Sequence, residues 1–98
     1  MSDADGWMAA PPFRPDAALE TLRRTLRDLR LAERGAGFDL RGKRVVELAV
    51  EGDAIAARLA RRLMNTPEWD RLSVRSAADQ RKLVDEVKKR LARWESEE

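Results

Sequence analysis

Between Gly42 and Met64 most of the charged residues keep a single helical phase. At about 100° per residue, Lys43, Arg44, Glu47, Glu51, Arg58, Arg61 and Arg62 fall within one sector of roughly 100°. Val45, Val46, Leu48, Ala49, Val50, Ile55, Ala56, Leu59, Ala60 and Leu63 fill the remainder. The phase before Gly52 matches the phase after it, which predicts one continuous helix over about 42–64. A competing reading starts from different signals in the same stretch. Val45, Val46 and Val50 are β-branched, Val46, Leu48 and Val50 alternate, and Gly52-Asp53 stands where a strand would hand over to a capped helix. On that reading Phe38 and Leu40 belong to the other arm of a hairpin.

Upstream, Leu19, Leu22, Leu26 and Leu29 recur at three and four residues, the stripe of an amphipathic helix. Pro15 and Asp16 suit its start, and Gly35 suits a left-handed cap, predicting a helix over Asp16–Arg34. Beside the stripe runs a row of Arg23, Arg27, Arg30 and Arg34. Arginines one turn apart repel, so the row calls for acids from outside that helix: Glu47 and Glu51, a partner's carboxylates, or phosphates.

Downstream, Thr66-Pro67-Glu68 has the order of an N-cap, a proline at the first helical position and an acid in the first turn, predicting a short helix over about 66–72. Ser76 and Asp79 have capping-box spacing before a last helix whose buried stripe is Leu83, Val84, Val87, Leu91 and Trp94. Its charged face offers Arg81–Asp85, Lys82–Glu86, Asp85–Lys89 and Glu86–Arg90 pairs four residues apart.

Together these readings give an all-α fold, a small three-helix bundle with a long central helix and a short extra helix near 66–72. The alternative is α+β, with a hairpin at about 38–51 between helices. Residues 1–15 hold Gly6, Pro11, Pro12 and Pro15 without periodicity and read as an N-terminal arm, residues 16–95 as one domain, and 96–98 as an acidic end. Trp7, Met8 and Phe13 are large apolar groups on that arm, candidates to dock on the domain or on a partner.

What the chain lacks narrows its chemistry. There is no His, Cys or Tyr among its 98 residues, which removes the commonest near-neutral proton carrier, the thiolate and the soft metal ligands. Ser2 and Ser96 lie near the ends, Ser73 and Ser76 sit where turns and caps want hydroxyls, and the glycines at 35, 37 and 42 lack phosphate-loop spacing. Glu47 and Glu51 stand among Lys43, Arg44 and Arg58 and read as ion-pair partners. The expectation is a non-enzymatic protein with no catalytic, cofactor-binding or metal site. No stretch matches a family signature.

The function expected is a bacterial-type protein-interaction module or adaptor that self-associates. Its candidate interaction surface is Arg23, Arg27, Arg30 and Arg34 together with Val46, Val50, Ala57 and Met64, which share one edge of the central helix's apolar arc. The alternative is a nucleic-acid-binding or regulatory protein using the arginine row on phosphates. A net charge of only +2, with both ends acidic, weighs against it. An Arg- and Ala-rich usage also fits a GC-rich genome without any functional meaning. No apolar run is long enough to span a membrane, and zero Cys agrees with a cytoplasmic setting.

Overall fold

The fold is α+β. A computed structural model of the protein describes residues 12–96. Helix α1 (Pro15–Asp28) leads into β1 (Ala32–Arg34), β2 (Gly37–Leu40), β3 (Lys43–Glu51), β4 (Ala54–Ala60) and β5 (Trp69–Val74), and α2 (Ala77–Ser96) closes the chain. The strands form one antiparallel sheet in the order β1-β2-β3-β4-β5, each beside its neighbour in sequence.

This overturns the all-α bundle. The long central helix is two strands, β3 and β4, and the short helix expected near 66–72 is mostly β5. The hairpin of the competing reading is present, Phe38 pairing with Val46 and Leu40 with Lys43, but it is part of a larger sheet. The helical phase over 43–64 arose because alanines at 49, 54, 56, 57 and 60 declare no face, leaving a few charges to set the apparent period.

The turns are built for hairpins. Arg41 (φ 54°) and Gly42 (φ 78°) link β2 to β3 with positive φ at both central positions, the twist that two-residue hairpin loops favour. Gly52 (φ 63°) opens the equally short β3–β4 loop, Glu51 pairing with Ala54 across it.

Partners shift from Phe38–Val46 to Asp39–Arg44, leaving Val45 as an extra residue in β3. This bulge lets the adjacent Val45 and Val46 both be fully buried, and it places Arg44 and Glu47 together on the other face. Strict alternation does not describe β3, which is why its strand signal was weak.

One sheet face packs on the helices. Phe38, Val46, Ile55, Leu59 and Val74 meet Leu22 and Leu26 from α1 and Leu83, Val87 and Trp94 from α2, all of them buried. Leu19 and Leu29, the outer members of the leucine stripe, are half-buried against the same core. Transfer of such side chains from water is worth about 1.5–3 kcal/mol each. Helix α1 stops at Asp28, six residues short of the expected end, because Arg30 (φ 71°) takes the left-handed position and turns Leu31 into the core. At the other end, the Ser76 hydroxyl accepts from the Asp79 amide (3.1 Å) and the Asp79 carboxylate from the Arg75 amide (3.1 Å), starting α2 as its sequence suggested. Among the described residues, no helix is long and apolar enough to cross a membrane.

Candidate interaction face

The two helices cover one face of the sheet and leave the other open. A row crosses all five strands on that open face: Arg34, Gly37, Glu47, Arg58 and Arg71, each opposite the next. Around it stand Asp39, Arg44, Ala49, Glu51, Ala56 and Trp69. Four arginines thus share the surface with three carboxylates.

Ion pairs link most of them. The buried Asp39 carboxylate accepts from Arg34 Nε (2.7 Å) through Oδ2 and from Arg44 Nε (2.8 Å) through Oδ1. Burial by itself would raise the Asp39 pKa, but hydrogen bonds and charge from the two guanidiniums outweigh it and hold the carboxyl below the usual aspartate range. Arg44 Nη2 also donates to the Arg34 carbonyl (3.1 Å), so one side chain ties β3 to β1 across β2. Glu47 receives Arg58 and lies 3.7 Å from Arg44. The Arg58 guanidinium sits 5.2 Å from the Trp69 ring centroid, a cation–π contact. Glu51 and Arg71 are exposed and make no ion pair among the described residues. Arg71 stands directly opposite another arginine, an arrangement that repels.

Between these charges lies a depression of about 470 Å³, floored by Ala49 and Ala56 and bordered by Glu47, Glu51, Arg58 and Arg71. An apolar floor with arginines at its border has the composition of a protein-binding surface.

The residues singled out from sequence fall elsewhere. Arg23 and Arg27 both reach Glu33 on β1, at 3.4 and 2.7 Å. Arg30 lies in the turn after α1, and Arg34 belongs to β1. The arginine row is therefore not one helix face, and the acids that meet it are Glu33, Asp39 and, from α1 itself, Glu20 at 3.7 Å from Arg23, not Glu47 or Glu51. Val46 and Ala57 are core residues of the sheet, whereas Val50 and Met64 are exposed, at 43% and 41%. The helical seam that was to carry self-association does not exist. Phe13 packs against the core, in a groove between the starts of α1 and α2, while Trp7 and Met8 lie outside the described residues. On α2, Glu86–Arg90 (2.7 Å) is the only one of the four expected pairs within ion-pair distance. Arg90 also holds Asp70 (2.9 Å), which Arg61 binds from its other side (2.7 Å).

Asp39, Ala49, Ala56, Trp69 and Arg71 were missed. The alternation of Trp69, Arg71 and Ser73 against Asp70, Leu72 and Val74 was the signal available, masked by the capping pattern just before it. Among the described residues, no group of three or more acids gathers as a metal cluster, and the Ser73 and Ser76 hydroxyls bond Arg75 and the α2 cap. Comparison with family models, with curated proteins and with solved structures found no match.

Proposed function

We propose that this protein is a small, non-enzymatic protein-interaction module that binds through the open face of its sheet. The observation that carries the reading is the alanine-floored depression with its mixed border of Glu47, Glu51, Arg58 and Arg71. Such a surface offers desolvated contact at its centre and opposed charges at its rim, which set register and exclude wrong partners. A cytoplasmic setting belongs to the same proposal.

The charge balance favours protein over nucleic acid. A phosphate backbone laid on this face would meet Asp39, Glu47 and Glu51 as well as the arginines, and Arg23 and Arg27 are already engaged by Glu33. Nucleic-acid binding rests on clustered, uncompensated cations.

The test is capture from lysate on the immobilised full chain, with and without nuclease, comparing wild type with Ala56→Glu. Ala56 is half-exposed on the open face. Capture that survives nuclease and is lost in Ala56→Glu, with an unchanged circular dichroism spectrum, is the expected result. Capture abolished by nuclease would overturn the reading in favour of nucleic acid.

A further inference from the structure

We infer that the occupant of the open face is a second copy of this chain, docked sheet on sheet about a two-fold axis above Ala56. This rests on the reading of that face as a protein-binding surface. Two charges on it lack partners among the described residues, and they are of opposite sign: Glu51 on β3 and Arg71 on β5. Their places are related in a specific way. Glu51 pairs with Ala54 and Arg71 with Arg58, and Ala56 lies midway between these two on the strand they share. With strands about 4.8 Å apart and a rise of about 3.4 Å per residue, the two charges stand roughly 17 Å apart with Ala56 at their midpoint.

A two-fold axis in the interface plane, perpendicular to that line and passing over Ala56, exchanges the two positions. It lays Glu51 of each copy on Arg71 of the other, and the contact closes as isologous contacts must. The resulting steep crossing of the strands belongs to the orthogonal class of sheet packing. The same rotation brings Arg58 towards the second copy's Ala49 and Glu51. Alanine at the centre lets the sheets approach, and the depression over Ala49 and Ala56 supplies room for the side chains that border it.

Sedimentation velocity on the full chain distinguishes this dimer from others by charge exchange. Wild type is expected to dimerise, and Glu51→Arg and Arg71→Glu each to weaken it by about tenfold or more, since each sets like charges against each other twice. An equimolar mixture of the two variants should regain the dimer. In that hybrid, arginine at 51 meets glutamate at 71 and Arg71 of the first chain meets Glu51 of the second, so both pairs are restored. Circular dichroism of each variant checks that these exposed positions leave the fold intact. A wild type that stays monomeric up to about 0.5 mM overturns the inference, as does a dimer indifferent to both variants or a mixture no tighter than either variant alone. If the dimer fails while Ala56→Glu still abolishes nuclease-resistant capture of another protein, the protein-binding face stands and only its occupant was misassigned.

Discussion

Replacing Asp39 by Asn tests the ion-pair network at its centre. Asp39 is the acid that joins β1 to β3, its side chain 10% exposed, receiving Arg44, 19% exposed, and Arg34, 68% exposed. Asparagine keeps the shape, but its amide nitrogen must face one guanidinium, donor against donor. A hydrogen bond from the largely buried Arg44 guanidinium to the carboxylate contributes about 1.5–3 kcal/mol, while solvent screens the exposed Arg34 pair. The expected loss is about 2–3 kcal/mol at neutral pH, or roughly 10–20 °C in Tm for a domain of this size. The effect carries a pH signature. Asp39 has a folded pKa below its unfolded value of about 3.9, so its stabilisation is fully present above that value and is lost as pH falls through the lower, folded one. Urea denaturation of wild type and variant from pH 7 to 2.5 should show a constant difference down to about pH 5 that shrinks below about 4. The variant still carries Asp70 and Glu86, whose pKa values are also lowered by arginine neighbours, so subtraction isolates Asp39. An undiminished difference at pH 2.5 would show a packing effect instead of a charge effect, and no difference at pH 7 would refute the network's contribution.

Two further substitutions probe how the sheet is held. Gly37→Ala would set a Cβ 2.6 Å from the Val46 carbonyl oxygen and against the Arg44 guanidinium, so chemical denaturation should show a loss of about 1–3 kcal/mol. Part of that loss should remain in an Arg44→Ala background, because the backbone contact persists. Trp94→Phe deletes the indole N–H that donates to the buried Ala60 carbonyl (3.1 Å) from a fully buried ring; a loss of about 1–3 kcal/mol is expected in urea titrations, and an unchanged midpoint would show that Arg90 (3.4 Å) satisfies Ala60 alone.

Sequence by itself determined the two helices that close the domain. Leu22 and Leu26 on α1 and Leu83, Val87 and Trp94 on α2 repeat at helical spacing and are buried, and Ser76 with Asp79 marks the α2 start. Such signals lie within a few residues of one another, where 3.6-residue periodicity and capping chemistry act. Sequence also supplied the need for acids around the arginines, although it named Glu47 and Glu51 where Glu33 and Asp39 serve.

The sheet, and the candidate face with it, was decided by tertiary structure. Across 43–64 the alanines accept either period, and the bulge at Val45 breaks the two-residue alternation that would have declared β3. Pairing with β2, β4 and β5 supplies the missing preference, because only strands in that register bury Val45, Val46, Ile55 and Leu59 together while each backbone finds its neighbour. The same pairing draws Arg34, Glu47, Arg58 and Arg71 into one row from separate strands. A row made by register between strands has no local periodicity, so it becomes visible only once the sheet is formed.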